Sequence, residues 1–176
     1  MRNKKLAKDS FTEMNELVLP NDTNTLNNLM GGKLLHWMDI AAAISAQKHC
    51  NKTVVTASVD NVSFKHPIKL GDVVSIQAQV TRAFNTSLEV KLNVYAQNFP
   101  KGTRVKSNTA YYTFVALDEE GKTVQIPELV PESEEEISDY TDAMTRRELR
   151  LILAGKLKPK DAHELQSVLS HYIKED

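Results

Sequence analysis

The apolar positions of this chain change period along its length. From Lys33 to Ala46 the run Lys33-Leu34-Leu35-His36-Trp37-Met38-Asp39-Ile40-Ala41-Ala42-Ala43-Ile44-Ser45-Ala46 is apolar on nearly every side around one acid. That pattern predicts a buried helix over residues 31–49. The period then falls to two. Residues 72–83 put Val74, Ile76, Ala78 and Val80 on one face, and residues 87–97 do the same with Leu88, Val90, Leu92, Val94 and Ala96. Both read as half-buried antiparallel strands, tightly connected at Asn85-Thr86. Residues 53–65 are β-branched and aromatic. Their alternation changes phase between Val59 and Val62, which predicts a bulge near Asp60-Asn61. Residues 104–117 end apolar on both faces, as a central strand does. Residues 10–19 predict a first strand, and residues 123–126 a short extension before Pro127.

Beyond Pro131 the pattern turns helical, over residues 138–155 and 159–174. The acidic cluster of Glu132, Glu134, Glu135 and Glu136 reads as a solvated helix start. Gly155 suits the end of the first helix and Pro159 the first turn of the second. Ala162, Leu165, Val168, Leu169, Tyr172 and Ile173 form a stripe expected to pack on the body or on a neighbouring subunit. The predicted class is α+β: an antiparallel sheet around one long central helix over residues 1–130, and a helical C-terminal extension over residues 131–176.

Composition narrows the function. The 176 residues suffice for one domain with a real core. A net charge of -1 argues against nucleic acid or a membrane surface as partner. The single cysteine, Cys50, fits a reducing compartment. No apolar run reaches the ~20 residues of a membrane span. The basic N-terminus lacks the apolar stretch of a secretory signal. These features together predict a cytoplasmic protein.

Asp39 is the candidate for chemistry. A carboxylate within an apolar helix needs partners or a purpose. Asn28 and the pair Gly31-Gly32 precede it. No metal-ligand spacing, phosphate loop or dinucleotide fingerprint is present, and no metal or cofactor is expected. Cys50 directly follows His49, which argues against a Cys-His dyad.

The stretch Asn28-Leu29-Met30-Gly31-Gly32 followed by Asp39 resembles the signature of hotdog-fold acyl-CoA thioesterases, in the branch of bacterial short- and medium-chain enzymes and the brain-type enzyme. Asp22-Thr23-Asn24, Ser58-Val59-Asp60-Asn61-Val62-Ser63-Phe64, Pro67, Gly71-Asp72, Thr86-Ser87-Leu88-Glu89-Val90 and Tyr112-Thr113-Phe114-Val115-Ala116-Leu117-Asp118 extend the likeness over residues 8–130. Met30 stands where relatives often carry His. The resemblance implies a hotdog subunit, a homodimer whose sheets join, assembly into a trimer of dimers, and a site at the subunit boundary. It implies that Asn28 and Asp39 meet there from opposite subunits. It also places Thr56, Ala57 and Ser58, and Asn85, Thr86 and Ser87, along the pantetheine and nucleotide of the substrate.

Hydrolysis of an acyl-CoA needs a base or nucleophile, a donor to the developing oxyanion, and a hold on the CoA moiety, which is part of the substrate and then product. Asp39 is assigned the first role, by activating water or by direct attack. The amides of Gly31 and Gly32 at the helix start suit the second, and the Asn28 amide suits either holding the attacking water or polarising the carbonyl. Arg82, Arg104, Lys106 and the cluster Arg146, Arg147 and Arg150 are candidate cations for the phosphates. Two other readings remain: a non-catalytic acyl-CoA sensor, and a hydroxyacyl-thioester dehydratase, which requires a His that the helix entry lacks.

Overall fold

The computed structural model describes residues 2–60, 62–64 and 66–173, the last three by backbone alone. The chain forms two compact units, Met1–Val130 and Pro131–Asp176.

In the first unit, β2 (Thr12–Leu17) is followed by α1 (Gly31–Cys50), β3 (Thr53–Asp60), β4 (Val73–Ala83), β5 (Ser87–Asn98) and β6 (Thr103–Leu117). These strands form one antiparallel sheet in the order β2-β4-β5-β6-β3. Helix α1 lies across it, giving the hotdog arrangement. The period-two positions face the helix as expected: Val74, Ile76, Ala78, Val80, Leu88, Val90, Leu92 and Val94 are buried against Met38, Ala41, Ala42 and Ala46. Helix α1 ends at Asn51, whose left-handed backbone (φ 52°) lets its N–H close on the Gln47 carbonyl.

The structure corrects four expectations. First, α1 is not buried all round within one chain. Trp37, Met38, Ala41 and Ala42 face the sheet, but His36, Ile40, Ile44 and Gln47 form an exposed stripe, and Asp39 on its flank is half-buried. Second, a bulge that was not expected falls between Thr56 and Ser58, at Ala57, and pairing is regular from Ser58 to Asp60; the expected position reaches Asn61, which lies outside the described residues. Third, residues 123–126 make only one bridge, Leu117 to Thr123. The strand is β7 (Glu128–Val130), after Pro127, and it pairs in parallel with β1 (Lys4–Leu6). Strands this short carry no readable period, and their pairing joins the two ends of the unit. Fourth, the helices of the second unit are shifted. Ser133 and Glu136 form a reciprocal capping box that starts α2 (Glu134–Leu153) inside the acidic cluster. Pro159 opens a separate turn (Pro159–Asp161), and α3 (His163–Ile173) follows it. Of the predicted stripe, Ala162 is buried while Val168 and Leu169 are exposed; the side chains of Tyr172 and Ile173 lie outside the described residues.

His49 in the first unit is a buried imidazole whose pKa is lowered by the fold. His49, on the last turn of α1, donates from Nε2 to the Pro127 carbonyl at 3.0 Å, since a carbonyl only accepts. Its Nδ1 is buried and has no partner among the described residues. Burial lowers the His49 pKa, and Lys5 and Arg2 act in the same direction; the Pro127 carbonyl and Asp9 oppose them. The unfolded chain therefore takes up this proton near 6.5 and the folded chain only at lower pH. Stability is present above about 6.5 and is lost as pH falls through that window. We expect His49→Gln, which keeps a donor for Pro127, to flatten the decline in Tm between about pH 7.5 and about pH 5.5 by roughly 2–4 °C. Equal declines in both proteins would assign the acid sensitivity to other groups.

Candidate active site

Residues 18–30 fold into a tight turn that opens α1. The Asp22 carboxylate accepts from Leu19 N–H and pairs with Lys33 at 3.2 Å. The Asn24 side-chain oxygen accepts from Leu26 N–H at 2.9 Å and Asn28 N–H at 3.2 Å, while Asn24 N–H donates to the Asn28 carbonyl. Asn27 sits at the corner with φ 56°. Leu29 N–H and Asn28 bridge to Ile68 and Lys69, seating the turn on the loop before β4.

Asn28 is half-buried and is not the helix cap; Met30 occupies that position with no side-chain bond. The Met30 carbonyl takes Lys33 N–H and Leu34 N–H, so Gly31 and Gly32 carry the leading amides of α1, which have no helical acceptor. Space beside Gly32 is open, whereas a Cβ on Gly31 would lie 3.2 Å from the Phe64 ring. A cleft of ≈ 340 Å³ lies here, lined by Asn24, Asn28, Gly31, Leu34, Phe64, His66, Ile68 and Ser107 among others.

Asp39 stands elsewhere. It is eight residues into α1 from Gly31, about 12 Å along the axis. Its Oδ1 accepts from the Thr56 hydroxyl at 2.8 Å, and among the described residues none bonds Oδ2. Burial, and then the charge of Asp39, push the Tyr112 phenol up to about 12, so Tyr112 stays protonated beside it. Thr56 lies opposite Phe114, and Phe114 opposite Leu88, so Asp39 and Thr56 share an end of the sheet with Thr86 and Ser87. The Ala57 bulge lets Thr56 reach the helix while Ser58 pairs with Thr113.

One chain therefore carries two separated groups: the turn with Asn28, Gly31 and Gly32, and the acid with Thr56. The cations divide as well. Arg82 lies opposite Glu89 near the Asn85-Thr86 turn, with its guanidinium 5.9 Å from the Phe84 ring. Arg104 is paired with Gln97, about 33 Å along β5 from Ser87 at ~3.3 Å per residue. Arg104 stacks on Tyr95 at 4.2 Å, and Lys106 lies opposite Tyr95. Val105 between them lines a groove on the other face, so the strand alternation turns Arg104 and Lys106 away from it. Arg146, Arg147 and Arg150 belong to α2 in the second unit, where Arg146 donates to the Asp139 carbonyl.

Sequence reasoning missed Glu89, a fully buried carboxylate that accepts the Thr81 hydroxyl at 2.7 Å. Asn24 entered only as part of the upstream likeness Asp22-Thr23-Asn24, with no role at the site. Its link to Asn28 required the folded turn.

The sheet wrapped on one helix and the Asn/Gly-Gly turn define a hotdog thioesterase-like protein. The comparisons agree. Residues 26–101 match the model of the Thioesterase superfamily. An uncharacterised acyl-CoA thioester hydrolase of Bacillus subtilis is 42% identical over 142 residues, covering 81% of this chain and 83% of that one. A hexameric acyl-CoA thioesterase has a TM-score of 0.84 at 39% identity, covering 86% and 97% of the two chains. An acyl-CoA hydrolase of Staphylococcus aureus, solved with butyryl coenzyme A and coenzyme A, has a TM-score of 0.79 at 34% identity, covering 98% and 99%. This chain belongs to the Thioesterase superfamily. Solved structures of the Staphylococcus aureus enzyme include alanine variants of an asparagine, an aspartate and a threonine. The sequence intervals between those three equal the intervals separating Asn24, Asp39 and Thr56 here.

Proposed function

We propose that this chain hydrolyses acyl-CoA thioesters at a site completed by a second copy. The observation that carries the reading is the separation just described: an acid held through one oxygen at one end, and donors around a cleft at the other. A two-fold interface sets each end of one copy against the other end of its partner. The exposed apolar stripe supports this, since Ile40 (38%), Ile44 (40%), Val55 (44%) and Val59 (46%) flank Asp39 and Thr56. Strand β3 is also a sheet edge, with backbone groups open to pairing.

In this site the thioester carbonyl points at the Gly31 and Gly32 amides and the loop asparagines. Asp39, held by Thr56, uses Oδ2 either to take a proton from the water whose oxygen bonds to the acyl carbon, or to bond that carbon itself as a mixed anhydride that water then hydrolyses; in both routes the carbon–sulfur bond breaks, the sulfur gains a proton and the acyl group leaves as the acid. The developing oxyanion is stabilised by the fixed amides at the positive end of α1, and coenzyme A leaves as thiol. The hexameric relative supports assembly into a trimer of dimers.

The test is thiol release from acetyl- to palmitoyl-CoA by protein of measured mass. Hydrolysis by a hexamer is expected. Tight acyl-CoA binding without thiol release would replace the enzyme with a sensor. Thr56→Val should cost about tenfold in turnover, the scale of one hydrogen bond to a charged group, with the fold intact by circular dichroism.

A further inference from the structure

Tyr112 is an ionisable group beside the candidate acid that the reaction as written leaves unused. Strand register places it. Thr56, which holds Asp39, lies opposite Phe114, and Val59 lies opposite Tyr112, two residues further along β6. That step is about 7 Å. Strand alternation gives Phe114 and Tyr112 the same face. Tyr112 also lies opposite Val90, which is buried against α1. It therefore stands on the α1 side of the sheet, one step along β6 from the contact that fixes Asp39.

The residue is only 1% exposed. Yet among the described residues none hydrogen-bonds its hydroxyl, and Asp39 acts on it only through its charge. A buried phenol normally finds a partner, and an unpaired polar group in a core is costly. Phenylalanine fills such a place without that cost, as Phe114 does one step away. Asp39 Oδ2 is in the same condition, since Thr56 holds Oδ1 and among the described residues none bonds Oδ2. Two polar atoms near enough to feel each other, and not bonded to each other, suit one bridging water. Burial, and then the charge of Asp39, push the phenol up to about 12. It is held as a donor. It is a poor source of protons for a thiolate, because a thiol ionises far more readily, at about 8.5.

We infer that Tyr112 is a catalytic residue whose hydroxyl, with Asp39 Oδ2, holds the water that attacks the thioester. The inference rests on the hydrolase reading and selects the water route over direct attack by Asp39. The water oxygen accepts the Tyr112 hydroxyl on one lone pair and bonds the acyl carbon through the other, while one of its protons passes to Oδ2. The tetrahedral intermediate then collapses. The carbon–sulfur bond breaks, its electron pair stays on sulfur, and the proton carried by Asp39 ends on the thiol. Tyr112 keeps its own proton throughout. A donor on the water oxygen fixes the direction of attack. It also makes the departing proton easier for Asp39 to remove.

The experiment is a double-mutant cycle on thiol release from acyl-CoA, using wild type, Tyr112→Phe, Asp39→Asn and the double variant, with thermal melting of each. Tyr112→Phe removes one oxygen and keeps the ring. We expect its kcat to fall about tenfold, the scale of one hydrogen bond, with KM within about twofold. Its Tm should match or exceed that of wild type, because an unpaired buried hydroxyl has been removed. On Asp39→Asn the same change should cost less than about twofold, because both groups act on one water. An unchanged kcat in Tyr112→Phe beside an active wild type overturns the role of Tyr112 and leaves hydrolysis standing. A tenfold loss repeated in full on Asp39→Asn also overturns it, since the hydroxyl then acts independently of Asp39. A rise in KM alone does the same. A fall in Tm of more than about 5 °C assigns the hydroxyl to folding instead. A wild type that releases no thiol removes the hydrolase reading, and this role with it.

Discussion

Replacing Asp39 with alanine lowers turnover at least ~100-fold, the scale of losing a positioned base or nucleophile. The geometry says why the loss falls on kcat. Thr56 fixes Oδ1 at 2.8 Å, so the remaining oxygen has a defined direction. Asp39→Asn keeps an oxygen to accept the Thr56 hydroxyl and keeps the side-chain volume, yet it can neither take a proton from water nor attack a thioester. The two variants should therefore lose comparable activity, while alanine alone also frees Thr56. Thermal melting separates chemistry from folding: Asp39 is half-buried on the exposed flank of α1, so both variants should melt close to wild type. A folded Asp39→Ala protein that retains a tenth of its turnover removes Asp39 from the chemistry.

The second large effect is expected at Asn24. Its side-chain oxygen is committed to Leu26 N–H and Asn28 N–H, which orients the amide nitrogen and shapes the turn in front of Gly31. Asn28 lines the same cleft, and among the described residues its side chain makes no hydrogen bond. We expect Asn24→Ala to cost ~100-fold or more in kcat, the range for a lost oxyanion donor, and Asn28→Ala only about tenfold, the scale of one hydrogen bond. Asn24→Asp distinguishes the two duties of the residue. It keeps the acceptor that holds the turn and removes the donor, so it should melt like wild type and still be slow. Greater damage from Asn28→Ala than from Asn24→Ala would return the role to Asn28.

Much of the fold was legible in the chain because it is local. Val74, Ile76, Ala78 and Val80 alternate whatever they pack on, and the Lys33–Ala46 run is too apolar for anything but a core-facing helix. The order of elements followed, and with the Gly31-Gly32 and Asp39 spacing the family likeness. The bulge at Ala57 was not legible because it answers to Thr56 reaching Asp39 from another element.

The short strands Lys4–Leu6 and Glu128–Val130 were invisible for a related reason: three residues show no period, and each forms only because the other end of the unit lies beside it. The sequence by itself determined the helix, the strand faces and the isolated acid, since side-chain periodicity is a property of the local backbone. Tertiary structure alone decided which asparagine braces the turn, and that the acid and the turn stand at separate ends of one subunit. Those relations depend on strand register and helix length, which bring together or hold apart residues that no local pattern connects.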